Sequence, residues 1–246
     1  LHTHKRQKIT KSDGAALQGP LTDPVKLSNL VVNIELVTQI PPSSDSGRLP
    51  LTRITKLDFE PNSGNLFILD LRGKLYKLQN DKPVVYMDMA KLCRKFINEP
   101  GLATGFGSFA FHPDFSKNGL LYTTHSEAAG SGKSDFYYPD SMKVTLQWVL
   151  TEWKTRQPGA AAFRGTSREL LRVDMMTGIH GIQEIVFNPL AKPGQEDYGI
   201  LYAGIGDAGF VDEGYPSKLR SKNKIWGTII QIDPAGSNSA NGRYGI

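Results

Sequence analysis

An all-β fold, a β-propeller of four-stranded antiparallel blades, is the architecture this sequence predicts, and three observations predict it. The first is a phrase written three times. Leu57-Asp58-Phe59-Glu60-Pro61 runs through a Gly turn to Leu66-Phe67, Phe109-Ala110-Phe111-His112-Pro113 runs through Asn118-Gly119 to Leu121-Tyr122, and Ile185-Val186-Phe187-Asn188-Pro189 runs through Tyr198-Gly199 to Leu201-Tyr202. Each copy is a short apolar strand, a Pro-stopped turn of variable length and a second strand opening on Leu-aromatic, and strand-turn-strand units recurring along a chain mark a propeller. The second is punctuation: 25 Gly and 15 Pro in 246 residues suit many short strands joined by turns. The third is period-2 alternation, clearest in Lys74-Leu75-Tyr76-Lys77-Leu78.

Taken in order, residues 1–27 are polar, Gly/Pro-punctuated and without period, and are read as a leader segment; residues 28–246 carry the propeller. Asn29 to Ile40 is dense in Val, Leu and Ile and is expected to form a strand, a candidate for closing a ring by pairing with the last blade. The first blade is expected at Ile54–Phe59, Asn65–Asp70, Lys74–Leu78 and Val84–Met87, followed by a connector helix over Ala90–Phe96. The second begins at Phe109, continues through Leu120–His125, and holds strands Val144–Trp153 and Glu169–Asp174. Its two long loops, Glu127–Asp140 and Lys154–Ser167, are expected to rim a pocket. The third holds Gln183–Phe187, Ile200–Gly204 and Thr228–Asp233. Phe59, Phe111 and Phe187 are 52 and 76 residues apart, so the second unit carries an insertion. Three blades do not close a ring, and an open array leaves an unpaired strand edge and bare apolar faces. The chain is therefore read as about three of six blades, with the missing half in further sequence or in a second chain.

Composition narrows the functional classes. No apolar run approaches the roughly 20 residues of a membrane helix. The single cysteine, Cys93, excludes an internal disulfide and any Cys-x-x-Cys site. The net charge of +5 owes part of its excess to His4-Lys5-Arg6-Gln7-Lys8, a solvated basic tail, and no stripe of basic residues interleaved with aromatics suggests a nucleic-acid partner.

Among chemically capable side chains, His180 precedes a strand and Asp207 follows one in Gly206-Asp207-Ala208-Gly209. On spacing alone His180 is a turn residue, and Asp207 an Asx-type turn former. His112 occupies a slot filled by Glu60 and Asn188 in the other repeats, which marks a scaffold role; His125 ends a strand and is a pocket candidate; His2 and His4 fall in the leader. Trp148, Trp153 and Trp226 are expected to pack between strands.

The segment Gly105-Phe106-Gly107-Ser108-Phe109-Ala110-Phe111-His112-Pro113-Asp114-Phe115, with Asn118-Gly119-Leu120-Leu121-Tyr122 behind it, resembles a hallmark of the soluble glucose/sorbosone dehydrogenases, which carry pyrroloquinoline quinone (PQQ) on a six-bladed propeller. Three further motifs resemble that family in the same order: His180 nine residues before Pro189, Gly206-Asp207-Ala208-Gly209, and Ile225-Trp226-Gly227-Thr228-Ile229-Ile230-Gln231-Ile232-Asp233-Pro234. The resemblance implies oxidation of an aldose at its anomeric hydroxyl, with hydride transfer to PQQ and electrons passed to an external acceptor, in a periplasmic or secreted protein. It implies His180 as the base, Asp207 as its orienting carboxylate, and His180 and Gln183 as cofactor contacts. It also implies Ca2+, whose ligands, like the Arg and Lys clamps on the quinone carboxylates, would lie in later blades; no metal residue is assigned here. The chain departs from the family at Gln183-Glu184, where Gly-Arg is common, and at Ala103-Thr104, where a cofactor-contacting Gln is usual. Two other readings stand beside it: a non-catalytic binding propeller of the hedgehog-interacting type, and a lactone hydrolase on a calcium propeller, for which Asp70 and Asp207 are the candidate ligands.

Overall fold

The computed structural model describes residues 30–44, 47, 49–101, 103–138, 142–219 and 224–246, and the leader expected over 1–27 lies outside them. The chain divides into two units, Leu1–Leu36 and Val37–Ile246. In the first, residues 30–36 form neither helix nor strand and their apolar side chains are exposed. Residues 37–40 of the second unit likewise form no strand. The strand expected over Asn29 to Ile40 is thus not formed by 30–40. Apolar content gives a segment the propensity to pair, but a strand exists only within a ladder.

The second unit is three antiparallel sheets. Strands β1 (Ile54–Phe59), β2 (Leu66–Asp70), β3 (Lys74–Gln79) and β4 (Lys82–Asp88) make the first, in sequential order. Strands β5 (Phe106–Phe111), β6 (Leu120–Ala128), β7 (Leu146–Thr155) and β8 (Gly165–Met175) make the second, also sequential. Strands β9 (Glu184–Phe187), β10 (Leu201–Ile205) and β11 (Thr228–Ile232) make a three-stranded third. Each sheet is a meander, and in the first the turns are short and chemically suited to reversal. The β3–β4 hairpin, for example, has Asn80 and Asp81 at φ +48° and +60°, the two left-handed positions a two-residue turn requires. Helix is confined to single turns, α1 (Met89–Leu92) and α2 (Phe115–Asn118), so the connector expected over Ala90–Phe96 is one turn long. Among the described residues no helix is long and apolar enough to cross a membrane.

Strands β6 and β8 run longer than expected and β7 ends two residues later, which shrinks the Lys154–Ser167 loop to a hairpin connection over 156–164. That turn lies at the end of the sheet where Thr155 pairs Gly165, and the Phe163 amide donates to the Tyr86 carbonyl of β4 at 2.8 Å. It therefore buttresses the first sheet at the end opposite the candidate site described below, and does not rim it.

The sheets stack through aromatic residues of the repeated phrase. Phe111, at the end of β5, packs on Phe67 of the first sheet with ring centroids 4.6 Å apart, and Phe187, at the end of β9, packs on Tyr122 of the second at 5.5 Å. Trp148, Leu150, Ile182, Ile185 and Leu201 complete the core between the second and third sheets, and Phe67, Leu69, Phe109 and Trp153 that between the first and second. All three tryptophans are buried, as expected for packing residues. The Phe-x-Pro ends of the three inner strands gather around one cavity of about 280 Å³, lined by Phe59, Pro61, Phe111, Pro113, Phe187 and Pro189 among others. The residue between Phe and Pro does the same work each time: Glu60 Oε1 accepts the Asn62 amide (2.8 Å), His112 Nδ1 the Asp114 amide (3.0 Å), and Asn188 Oδ1 the Leu190 amide (3.0 Å).

The same Phe slot is 6% exposed at Phe111 and 7% at Phe187, but 58% exposed at Phe59, which has no sheet ahead of it among the described residues. Phe111→Ala is expected to cost about 3–5 kcal/mol, whereas Phe59→Ala in this chain should cost far less. Denaturant unfolding of the two variants checks the asymmetry; equal losses would mean Phe59 is covered in solution.

Candidate active site

The inner strands β1, β5 and β9 run in the same direction, so the segments that enter them meet at one end of the array. Three segments meet there: 98–104 before β5, 177–183 before β9, and 206–211 after β10. Each is held by side chains that sequence reasoning did not single out. The buried Arg53 guanidinium donates to the carbonyls of Asn98 (3.0 Å), Gly101 (3.1 Å) and Thr104 (3.4 Å), fixing the first segment. The Thr104 hydroxyl, shared between the Pro100 carbonyl at 2.6 Å and the Gly178 carbonyl at 3.1 Å, ties the first segment to the second.

The second and third segments are cross-linked through backbone. The Gly206 amide donates to the Gly181 carbonyl (3.0 Å) and the Ala208 amide to the His180 carbonyl (3.3 Å). His180 and Ala208 both adopt left-handed backbone, φ +53° and +57°, a conformation uncommon for residues other than glycine and concentrated where surrounding contacts enforce it. Here the enforcement is steric as well. A Cβ on Gly206 would stand 2.1 Å from the His180 carbonyl oxygen, and one on Gly181 would stand 2.0 Å from the Trp148 indole nitrogen. Trp148, fully buried, is therefore the floor on which the turn carrying His180 rests.

His180 and Asp207, the two residues singled out from the sequence as base and orienting carboxylate, are brought together: His180 Nδ1 lies 2.6 Å from Asp207 Oδ1. The His180 side chain is 55% exposed and the Asp207 side chain 16%. Burial alone would raise the Asp207 pKa, but it is outweighed by amide donation from Val211 and Gly209, each at 3.2 Å, and by the His180 contact. The carboxyl is held below its ordinary value, as an anion. An anion accepting from Nδ1–H selects the tautomer whose Nε2 is an unprotonated acceptor, the arrangement a proton-abstracting imidazole needs.

Gln183 and Glu184 are separated as strand alternation requires. Gln183 Nε2 donates to the Ala103 carbonyl at 2.8 Å. Glu184 turns to β1, where Lys56 meets it at 2.5 Å. The same ammonium lies 2.9 Å from the Ile185 carbonyl and 3.3 Å from Ser108 Oγ, so all three inner strands are tied at this point and the Glu184 charge is compensated.

Two candidates fall elsewhere. His125 is buried inside the second sheet, its Nε2 3.3 Å from Glu127, which also takes Arg172 at 2.8 Å, so it does not face a pocket. The loop after β6 is locked to this network through Gln147, which bridges Gly132, Ser134, Asp174 and Arg172. Asp70, proposed with Asp207 as a calcium ligand, is fully buried and accepts the Arg53 and Arg72 amides at 3.1 and 3.0 Å. Among the described residues no group of three His, Cys, Asp or Glu side chains is arranged to hold a metal ion.

No protein-family model matches the chain, and neither does any curated protein. Solved structures do. One glucose dehydrogenase superposes with a TM-score of 0.50 at 17% identity, over 79% of this chain and 56% of its own. Another gives 0.48 at 16%, over 78% and 45%, and the apo form of the soluble aldose sugar dehydrogenase of Escherichia coli gives 0.44 at 15%, over 79% and 52%. The chain spans about half the length of the structures it matches, and the likeness to the first is one of fold.

Because the Asp207 pKa is depressed in the fold, its contribution is present above the unfolded value of about 4 and is lost as pH falls through the folded value. Asp207→Asn should therefore lower stability at pH 6 and remove part of the wild-type loss on acidification below about pH 4. Unfolding free energies of both proteins across that range check this; parallel curves would mean the carboxylate is not held by these donors. Gly181→Ala should cost about 1–3 kcal/mol by overpacking against Trp148, read in the same experiment.

Proposed function

We propose that this chain is part of a PQQ-dependent aldose dehydrogenase, an exported oxidoreductase in which further sequence or a second chain completes a six-bladed propeller. The observation that carries the reading is the His180–Asp207 pair, exposed on the imidazole side and held on the carboxylate side, at the end where the inner-strand entries converge. His180 Nε2 takes the proton of the anomeric hydroxyl. Asp207 keeps Nδ1 protonated and stabilises the imidazolium that results. When bound, the quinone supplies the hydride acceptor that oxidation at that carbon requires.

The residues present fit such a group at one edge. Among the described residues Asp207 holds His180 Nδ1 and no hydrogen-bond partner meets Nε2, and Gln183 retains its carbonyl oxygen after its amide is spent on Ala103. The compensation of Glu184 by Lys56 removes the objection that a bare anion would repel a tricarboxylate. Calcium, the external electron acceptor and the Arg or Lys contacts to the quinone are assigned to no residue here.

One observation favours a second reading. The polar side chains at the start of β9 already have protein partners, Gln183 in the Ala103 carbonyl and Glu184 in Lys56, as they would in a non-catalytic binding propeller of the hedgehog-interacting type.

A dye-linked dehydrogenase assay separates the two. The complete protein, incubated with PQQ and calcium and offered a panel of aldoses, is expected to reduce the dye only when PQQ is present, with His180→Ala lowering the rate by at least about 10²-fold. An unchanged PQQ absorbance spectrum on mixing, with no dye reduction, would leave the binding propeller.

A further inference from the structure

Neither the paired side chains nor the glycines around them explain what holds the two left-handed residues in register. His180 and Ala208 sit on separate segments 28 residues apart, and the bond between them, Ala208 amide to His180 carbonyl, is long at 3.3 Å. A side chain of the His180 segment closes the gap. The Thr177 hydroxyl donates to the Ala208 carbonyl at 3.1 Å and accepts the Ile179 amide at 3.3 Å. Its body fills the space over Gly209, where an added Cβ would lie 2.3 Å from Thr177 Oγ1 and 2.6 Å from its methyl carbon. Gly209 is one of the two amides that hold the Asp207 carboxylate.

One side chain therefore touches each half of the pair. Through Ile179 it shapes the turn immediately before His180. Through Ala208 and Gly209 it fixes the turn that carries Asp207. We propose that Thr177 is a positioning residue that sets the His180–Asp207 contact, resting on the reading of His180 as the base for the statement that this contact matters to turnover. Thr177 touches no reacting atom; it acts by restricting how far the two segments slide past each other. The hydroxyl, not the bulk, is the operative group, since valine would keep the packing on Gly209 and lose both hydrogen bonds.

The test is read on the imidazole itself, without activity. Long-range proton–nitrogen correlation spectra of the five histidines, with the His180 signal assigned by its loss in His180→Ala, report which ring nitrogen carries the proton. Wild type is expected to show the neutral His180 ring as the Nδ1–H tautomer. Thr177→Val is expected to shift it towards a mixture of both tautomers, and Thr177→Ser to restore the wild-type signature. Thr177→Ala repeats the test if the valine variant does not fold. A wild-type His180 signature in a folded variant lacking the hydroxyl overturns the proposal, including when its melting temperature has dropped, because Thr177 would then be a packing residue only.

In the dye assay of the complete protein, the valine variant should lose about 10- to 100-fold in kcat with KM little changed, the signature of a misplaced catalytic group. A tautomer shift with no aldose oxidised by wild type would sink the dehydrogenase reading and leave the positioning role standing. A tautomer shift with unchanged kcat in an active enzyme overturns the claim that the contact governs turnover.

Discussion

Everything in this chain hangs on an aromatic wedge. At the ends of β5 and β9 a Phe leaves its own sheet and enters the one before it, Phe111 against Phe67 and Tyr86, Phe187 against Tyr122 and His112. Edge-to-face and tilted ring contacts of this kind tolerate little sliding, because the favourable geometry is lost within about 1–2 Å of displacement from centroid separations of roughly 4.5–7 Å. The wedge therefore sets the spacing and level of β1, β5 and β9. Once those strands are level, the segments that enter them arrive at a common height, and residues from three distant stretches of sequence can meet. Arg53, Thr104 and Trp148 then refine a meeting that the aromatic stack has already imposed.

The two ends of the array have been put to different uses. At the Phe-x-Pro end, backbone turns are closed by whichever side chain can accept an amide, and Glu60, His112 and Asn188 serve equally. At the other end, substitution is tightly constrained: two non-glycine residues sit at positive φ, and carbonyl oxygens or an indole occupy the space where side chains would grow on Gly206 and Gly181. Asn80 and Asp81 also take positive φ, at the Phe-x-Pro end, but inside a two-residue hairpin turn that calls for it.

The elements that could be read from the sequence were those written in its alternation and its Pro and Gly stops. The strand positions of the first sheet and the inner strands agree with the structure to within a few residues, because Gly and Asn turns separate the former and a Pro follows each of the latter. The failures have physical causes. Residues 30–40 have strand composition but no ladder, and composition does not supply a partner. His125 looked like an axial residue because it ends an alternating run; β6 in fact continues to Ala128 and buries it. Alternation put Gln183 and Glu184 on opposite sides without saying which met β1, since that depends on Lys56, 128 residues away. The acceptor for Gln183 is a backbone carbonyl, and a carbonyl has no letter in the sequence. Thr177 was invisible for the same reason: its partners are main-chain groups of Ala208 and Ile179.

The shared turn slot leaves the middle sheet with a property its neighbours lack. His112 accepts through Nδ1, and burial, only partly offset by Asp114 and Glu152, holds its pKa below the ordinary value. A folded-state value below the unfolded one means this contribution is complete above about pH 6.5 and declines as pH falls towards the folded value. Asparagine in the same slot of the third repeat has no proton to exchange. The turn that carries Phe115 beneath Phe111 is thus a place where acid would loosen the wedge, so acidity would act on the seam between the first two sheets.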